Sequence, residues 1–258
     1  KKSLGQNFLI DKNIIKIIAE LGNISNEDIV LEVGPGTGNL TEEILYKKPK
    51  KLAVIEKDKA MVEILKKKFK EKIDIINSDM LDFSYENNFK KKIIIFGNLP
   101  YNISTKILSK WVKIKKLDKY CKKFILMFQK EVADRIIAEV NSKNYSRLTI
   151  ISNWKLDIKK IIDIKPHSFS PKPKIDSTLL FFSPKKNFPK LKNPKNLEKI
   201  TRIFFRHRRK MLKKPFNQLF KDNIEILNKL NINLNLRPQN IDCETYYNLT
   251  REYENLRG

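Results

Sequence analysis

The sequence predicts an α/β fold with a mostly parallel sheet, followed by a small all-helical domain. In the first half, short apolar runs rich in β-branched residues alternate with segments of helical periodicity. Such alternation requires crossover connections between strands that run in the same direction, with helices covering the sheet. After Ser183 the pattern changes, and apolar residues recur only at helical spacing. We therefore predict two domains, at residues 1–184 and 185–258.

The first domain contains five apolar runs of strand length, separated by helical segments. The predicted strands are Ile29–Val33, Lys51–Ile55, Ile73–Ile76, Ile93–Phe96 and Phe124–Phe128. The predicted helices are Asn39–Tyr46, Lys59–Phe69, Thr105–Val112 and Glu131–Glu139. Two later runs, Lys160–Ile164 and Ser177–Phe182, flank a proline-rich turn. They predict an antiparallel hairpin at one edge of the sheet.

The second domain is predicted to be helical throughout. Prolines punctuate a Lys/Asn-rich stretch at Pro184, Pro189 and Pro194, and this composition is typical of a linker. The helices predicted beyond it are Leu197–Lys213, Phe216–Leu230 and Cys243–Leu256. Pro215 is predicted to end the first of these helices, because proline lacks the amide hydrogen that a helix interior needs.

The charge of the chain indicates a polyanionic partner. The formal net charge is +25, but a general bias towards lysine would give a similar excess. Arginine is scarcer and more informative, and no acidic residue occurs from Lys199 to Phe216. This stretch predicts phosphate contacts; the alternative is a helical surface that the charges only keep soluble. The candidate contacts are Arg206, Arg208, Arg209, Lys210 and Lys213.

The rest of the composition disfavours several classes of protein. Cys121 and Cys243 lie far apart and match no metal-ligand spacing, and the chain has only two histidines. No apolar run approaches the roughly 20 residues of a membrane span. The N-terminus lacks the apolar segment of a secretory signal. We expect a monomeric cytoplasmic protein that uses neither a metal nor a membrane.

A nucleoside pocket is predicted at the carboxyl ends of the first three strands. The closely spaced glycines of Glu32–Gly38 would let the backbone approach a ligand, although many such turns are only tight turns. Asn39 stands where the dinucleotide fingerprint requires glycine, which disfavours dinucleotide binding. Glu56 ends the second strand, where a carboxylate can bind a ribose diol. Asp79 follows the third strand, where a carboxylate can accept from an adenine amino group. Each acid alone is more often a helix cap or a solvated group.

The fourth strand leads into the motif Asn98-Leu99-Pro100-Tyr101. An adenine amine is a poor nucleophile because its lone pair is delocalised into the ring. Two acceptors for its N–H hydrogens draw the nitrogen towards tetrahedral geometry; an Asn side-chain carbonyl and the next backbone carbonyl, held by a proline, provide such a pair. Tyr101 adds a stacking face for the base. A loop in which Tyr101 only packs is the structural alternative.

With these motifs the chain resembles the ribosomal RNA adenine dimethyltransferase family over essentially its whole length. The most specific matches are Gly5–Leu9 and Asn98–Ser104. Further matches are Glu32–Gly36, Val54–Glu56, Asp79, Gln129–Val132, Phe169–Pro173, Asp176–Ser177 and Arg208–Lys210. The resemblance implies a Rossmann-like class I methyltransferase fold with a seven-stranded sheet, and S-adenosylmethionine as methyl donor without a metal. It implies dimethylation of two adjacent adenosines near the 3′ end of small-subunit rRNA, within an immature 30S particle.

The resemblance also implies roles for individual residues. Gln6, Asn7 and Leu9 would close the cofactor pocket, with Gly34 and Gly36 beside the methionine part of the cofactor. Glu56 would hold the ribose, and Asp79 with Met80 the adenine. Asn98, which would also touch the cofactor, and Leu99 would position the target amine, while Tyr101 and Phe169 would sandwich the target base. Without the resemblance, a Phe in a proline-rich loop is usually a packing residue.

Three other functions remain open at this stage. A large-subunit rRNA methyltransferase of the macrolide-resistance type shares the Asn98–Ser104 motif, but the helical tail and Phe169–Pro171 favour the small-subunit enzyme. A ribosome-assembly or transcription-factor protein with this fold and no turnover is disfavoured by the intact Asn98, Tyr101 and Glu56. A nicotinamide oxidoreductase is disfavoured by the glycine spacing.

Overall fold

The computed structural model describes residues 7–84, 89 and 91–257, and the chain divides into two compact units. The first unit comprises residues 1–133 and 157–185, and the second comprises residues 134–156 and 186–258. Residues 134–156, predicted as part of the first domain, group with the second unit because the helix at Arg147–Asn153 packs against helices of that unit. The functional division at residue 184 stays a prediction.

The first unit is built on a seven-stranded sheet. The strands of the chain are β1 (Phe8–Leu9), β2 (Ile29–Val33), β3 (Lys51–Glu56), β4 (Asp74–Asn77), β5 (Ile93–Asn98), β6 (Cys121–Gln129), β7 (Leu156–Ile164), β8 (Phe169–Ser170) and β9 (Ser177–Pro184). The order in the sheet is β4-β3-β2-β5-β6-β9-β7. Strands β2 to β6 pair in parallel, and β9 pairs antiparallel with β6. The predicted fold class, an α/β fold with a mostly parallel seven-stranded sheet, is confirmed.

Helices cover both faces of this sheet, which explains why its central strands are apolar runs without alternation. The α-helices that the structure describes wholly within the first unit are α1 (Lys12–Leu21), α2 (Asn39–Tyr46), α3 (Lys59–Phe69), α4 (Ser104–Val112) and α5 (Leu117–Tyr120). The side chains of Asp11 and Asp58 cap α1 and α3 by accepting from backbone amides of the first turn. On one face Ile18 and Ile44 join the buried apolar cluster. On the other, Trp111 stacks on Phe124, with 5.0 Å between ring centroids.

The order of strands places the functional site. From β2 the chain crosses first to β3 on one side, and β5 later pairs with the other side of β2. The direction of winding therefore reverses between β2 and β5. In open parallel sheets such a reversal opens a crevice at the carboxyl ends of the two strands. The glycine turn follows β2 and the Asn98 motif ends β5, so both border this crevice.

A second, two-stranded sheet holds the N-terminal segment within the same unit. Strand β1 pairs antiparallel with β8, with Phe8 opposite Ser170 and Leu9 opposite Phe169. The amides of Ile10 and Asp11 also donate to the carbonyl of Ser168. The start of α1 is thereby fixed to the loop between β7 and β9.

The second unit is helical. Helix α6 (Lys130–Ile136) leads into it, and the others are α7 (Arg147–Asn153), α8 (Pro194–Phe205), α9 (Lys213–Phe220), α10 (Ile224–Leu230) and α11 (Cys243–Asn255). Glu254 of α11 accepts from the backbone amides of Lys192 and Asn193, each at 2.8 Å, and so fixes the start of α8. In the part of the chain that the structure describes, no helix has the length and apolar character of a membrane span.

Two helix predictions in the second unit are wrong. The helix predicted over Leu197–Lys213 ends at Phe205, and the helix predicted over Phe216–Leu230 is two helices with a break at 221–223. Pro215 does not end a helix; it lies in the first turn of α9, where its missing amide hydrogen costs nothing. The break is possible because Lys221 and Asp222 adopt positive φ, which ends α9.

Candidate active site

The glycine turn after β2 has a backbone that only glycine adopts readily. Gly34, Gly36 and Gly38 have φ values of +70°, +57° and +80°. A Cβ atom on Gly36 would lie 2.5 Å from the ring of Phe8, and one on Gly34 would lie 3.1 Å from the carbonyl oxygen of Asn98. The turn therefore brings bare backbone against both the N-terminal segment and the Asn98 motif.

Glu56 connects the end of β3 to this turn. Its Oε1 accepts from the amide of Asp58 at 2.9 Å, and its Oε2 accepts a longer bond from the amide of Gly36 at 3.4 Å. Burial raises the pKa of the Glu56 carboxyl, and the surrounding backbone amides oppose that effect. The carboxylate remains part of the pocket lining, where a diol could bind.

A second buried carboxyl, Glu32, lies on β2, and the sequence singles it out only as part of the glycine motif. It is 2% exposed, and its Oε2 accepts from the Thr41 hydroxyl at 2.6 Å. Burial raises the pKa of Glu32 to about 7, and the nearby charge of Glu56 adds to the shift. The sequence feature that could have identified Glu32 is its position as an acidic residue inside an apolar strand.

Asp79 is held in a salt bridge beside the end of β4. Its carboxylate accepts from Lys57 Nζ and from the Leu81 amide, each at 2.8 Å, and the bond from Lys57 lowers the pKa of Asp79. Met80 is buried next to it. The Nζ of Lys110 donates to the carbonyls of Leu81 and Phe83, which ties this loop to α4.

The side chain of Asn98 is oriented by the N-terminal segment. Its Nδ2 donates to the backbone carbonyl of Asn7 at 2.8 Å. Because a carbonyl can only accept a hydrogen bond, the side-chain nitrogen of Asn98 must face Asn7, and its Oδ1 must point away from Asn7. Within the described part of the chain, Oδ1 accepts no hydrogen bond. The site thus presents a carbonyl oxygen with a fixed direction.

The residues after Asn98 complete one wall. Leu99 is buried, and the ring of Tyr101 is half-buried, with its hydroxyl 2.6 Å from the Oγ of Ser177. Burial raises the pKa of Tyr101, so its hydroxyl stays neutral. The Ser177 contact was not predicted, because it joins residues 76 positions apart.

The N-terminal segment lies against both motifs. Asn39, which replaces the glycine of the dinucleotide fingerprint, donates from Nδ2 to the carbonyl of Leu9 at 2.8 Å. Together with the bond from Asn98 to Asn7, this fixes two carbonyls of the segment from two different elements. Gln6, predicted to help close the pocket, lies outside the described residues.

One pocket gathers most of the predicted site residues. It is lined by Asn7, Phe8, Gly34, Gly36, Glu56, Asn98, Leu99, Pro100 and Tyr101. Leu9, Asp79, Met80 and Phe169 are not part of this lining. Phe169 is 3% exposed and packs in the apolar cluster that also contains Leu9.

The predicted phosphate-binding residues lie in the turn between α8 and α9, and at the start of α9. Arg206, Arg209, Lys210 and Lys213 are exposed. Arg208 is partly buried, and its guanidinium donates to the backbone carbonyl of Lys143 at 2.5 Å. It therefore also holds the loop before α7. Among the described residues, no group of three His, Cys, Asp or Glu is arranged to hold a metal ion.

A sheet of this order, with a glycine turn and acidic residues at the carboxyl ends of adjacent strands, defines the class I methyltransferase fold. The structure of a dimethyladenosine transferase from Plasmodium falciparum is similar, with a TM-score of 0.81 and 28% identity, over 96% of this chain and 98% of that one. The 23S rRNA methyltransferase ErmE shares the fold at 20% identity, with a TM-score of 0.71 over 96% of this chain and 100% of that one.

Sequence comparison then gives the family. The sequence model described as Ribosomal RNA adenine dimethylase matches residues 1–255. A relative named Ribosomal RNA small subunit methyltransferase A, from Pelagibacter ubique (strain HTCC1062), is 60% identical over 258 residues, which are 100% of this chain and 98% of the relative. The chain belongs to the ribosomal RNA adenine dimethylase family. The predicted family and the predicted methyltransferase activity are thereby confirmed.

Proposed function

We propose that this chain transfers methyl groups from S-adenosylmethionine to the exocyclic amines of two adjacent adenosines in a loop near the 3′ end of small-subunit rRNA. The observation that carries the proposal is the fixed carbonyl of Asn98, at the edge of a pocket lined by the glycine turn and Glu56. The name of the Pelagibacter ubique relative supports the small subunit as the source of the RNA.

The pocket fits a nucleoside cofactor with a charged tail. The positive-φ glycines Gly34 and Gly36 expose backbone where a Cβ would collide with neighbouring groups, so bare backbone is available to the methionine part. Glu56 offers a carboxylate to the ribose, and Asn7 and Leu9 lie on the segment that would close over the cofactor. Asp79 and Met80, which lie outside this lining at the end of β4, would hold the adenine, and the bond from Lys57 lowers the pKa of Asp79.

Asn98 would activate the target amine. Its Oδ1 and the backbone carbonyl next in the motif accept the two N–H hydrogens, which withdraws the nitrogen from conjugation with the ring. Since the bond to Asn7 already fixes the amide, no reorganisation is needed when the base arrives. S-adenosylmethionine supplies, when bound, a methyl group on a positively charged sulfur. The methylated ammonium product loses its proton readily, so no strong general base is required.

Tyr101 would receive the base that leaves its RNA stack. An enzyme that acts on the edge of a base must take the base out of the stack, which favours a loop over an intact duplex. Tyr101 lines the same pocket as Asn98 and would offer one ring face to the base. For Phe169 to cover the other face, its ring would have to leave the apolar cluster in which it packs.

The second unit would hold the RNA through its phosphates. The exposed cations Arg206, Arg209, Lys210 and Lys213 form a one-signed group, to which the partly buried Arg208 adds. Phosphate contacts position a nucleic acid without reading its sequence. We infer that selection of the adenosines depends on the shape of rRNA within an immature 30S particle. The enzyme would act there as a cytoplasmic monomer, without a metal.

A large-subunit rRNA methyltransferase is the second candidate. The structure of ErmE supports it only through the shared fold. One experiment distinguishes the two candidates: the protein is incubated with methyl-labelled S-adenosylmethionine and separated immature small or large ribosomal subunits, and the modified nucleosides are identified by mass spectrometry. We expect dimethyladenosine at two adjacent positions of small-subunit RNA. Label found only in large-subunit RNA, or no label in either particle, would refute the proposal.

A further inference from the structure

The hydroxyl of Tyr101 has a buried partner that no step of the proposed chemistry uses. Its oxygen lies 2.6 Å from the Oγ of Ser177, the first residue of β9. Ser177 has 0% exposure, while Tyr101 is only half-buried and borders the pocket. The bond therefore joins a ring at the pocket surface to an atom in the interior of the unit.

Ser177 is itself held rigidly by the sheet. It lies opposite Gln129 in the antiparallel pairing of β9 with β6. Directly before it, the carbonyl of Asp176 accepts from the Lys130 amide at 3.0 Å. The next residue, Thr178, has its hydroxyl 2.6 Å from Oδ1 of Asp163. Successive side chains of a strand point to opposite faces, so these two neighbouring hydroxyls hold different groups.

We propose that Ser177 is a positioning residue, which fixes the place of the Tyr101 ring in the pocket so that an inserted adenine lies in register with Asn98. This inference rests on the proposed function. A tyrosine without such a bond can swing its ring about the Cα–Cβ bond, whereas a hydrogen bond from the hydroxyl, at the far end of the ring, holds that end in place and removes the swing. Only the inserted base requires the ring to be fixed, since phosphates and cofactor are bound by other groups.

Kinetics should therefore separate turnover from binding. In Ser177→Ala the ring loses its anchor, and kcat should fall roughly 2- to 10-fold, the range expected for one neutral hydrogen bond. KM for the ribosomal particle and the Kd for S-adenosylmethionine should each change less than about twofold, because phosphate contacts and the glycine turn are intact. Tyr101→Phe removes the same bond from the other side and should cause a similar loss of kcat.

The double variant Ser177→Ala/Tyr101→Phe distinguishes positioning from a purely structural role. If both side chains act through one bond, removing the second partner after the first costs nothing further, and the double variant should have the kcat of the slower single variant. If Ser177 only supports the core, the two losses should multiply. Multiplying losses, or a Ser177→Ala enzyme with wild-type kcat, would overturn the proposal.

Thr178→Val is the matched control. It removes a fully buried hydroxyl from the adjacent position of the same strand, but one that bonds Asp163 and not Tyr101. We expect lower thermal stability with kcat within about twofold of wild type. An equal fall of kcat in both variants would assign the effect to β9 as a whole and so refute the role of Ser177. If the wild-type protein methylates no adenosine, the proposed function itself fails, and this outcome is seen before any variant is compared.

Discussion

Glu32 is an acidic side chain enclosed in the central strand β2, and its environment has a measurable consequence. Its carboxyl is 2% exposed and has the Thr41 hydroxyl as a partner at 2.6 Å. Burial raises the pKa from an ordinary 4.5 to about 7. The perturbation we suggest is Glu32→Gln, because glutamine keeps the size of the side chain and a carbonyl for Thr41 but cannot ionise.

The sign follows from proton linkage. The unfolded chain loses the Glu32 proton near pH 4.5 and the folded chain near pH 7. This group therefore contributes its stability fully below the unfolded pKa and loses it as pH rises through the folded pKa. At about 1.4 kcal/mol per pKa unit, the loss amounts to about 3 kcal/mol, and most of it falls between pH 4.5 and about pH 7. Glu32→Gln should lack this loss and should be the more stable variant at high pH.

Urea unfolding as a function of pH measures this difference. Trp111 reports on the first unit and Trp154 belongs to the second, so the wild-type and variant proteins should both carry Trp154→Phe to make the fluorescence specific. Titrating groups that do not interact with Glu32 contribute to both proteins equally and cancel in the comparison. Glu56, whose charge adds to the Glu32 shift, is part of the measured difference. Parallel stability curves for the two proteins from about pH 4 to about pH 8 would mean that folding leaves the Glu32 pKa unchanged, contrary to this prediction.

Two further predictions concern the ligands. Glu56→Ala should weaken S-adenosylmethionine binding by about 1.5–3 kcal/mol, the worth of hydrogen bonds to a charged group; unchanged affinity by calorimetry would place the ribose elsewhere. Neutralising Arg208 and Arg209 together should lower the slope of log Kd for RNA against log salt by roughly 1–2. Arg209→Gln should account for most of this change, because Arg208 already donates to the Lys143 carbonyl, and an unaltered slope in the double variant would assign RNA binding to the first unit.

The central strands and their helices were readable from the sequence. Ile29–Val33, Asn39–Tyr46 and Lys59–Phe69 have the predicted bounds, because parallel strands buried on both faces are uninterrupted apolar runs and amphipathic helices follow them. Short pairings lack such periodicity. Each strand of the β1–β8 pair has two residues, and the pairing joins positions about 160 apart in the sequence. No local sequence pattern therefore predicts it.

The second unit shows where periodicity misleads. Apolar residues continue at helical spacing past Phe205, yet the chain turns through Arg206–Lys210 before α9 begins. The turn is stabilised by contacts distant in sequence, such as Arg208 with the carbonyl of Lys143, and by the amide of Leu212 donating to the carbonyl of Leu236. Contacts between residues this far apart in the sequence cannot be predicted from a local pattern.

The sequence predicted which residues form the site, but not the hydrogen-bond partners that orient them. Gly34, Gly36, Glu56 and Asn98 meet in one pocket because strand ends in a parallel sheet share an edge. The partners that orient them, Asn7 for the Asn98 amide and Ser177 for the Tyr101 hydroxyl, are brought there by tertiary folding. Phe169 was expected beside the base, and the structure places it in the apolar cluster, so its role stays a prediction.

In the proposed reaction Asn98 activates the adenine amine, and the Asn98→Ala variant is the direct test of this role. The measurement is dimethyladenosine formed on immature small subunits, quantified by mass spectrometry, with S-adenosylmethionine affinity determined by calorimetry on the same preparation. We expect methyl transfer to be nearly abolished while cofactor affinity stays within a few fold, because the glycine turn and Glu56 remain in place. Full methyl transfer by the variant would rule out this role for Asn98.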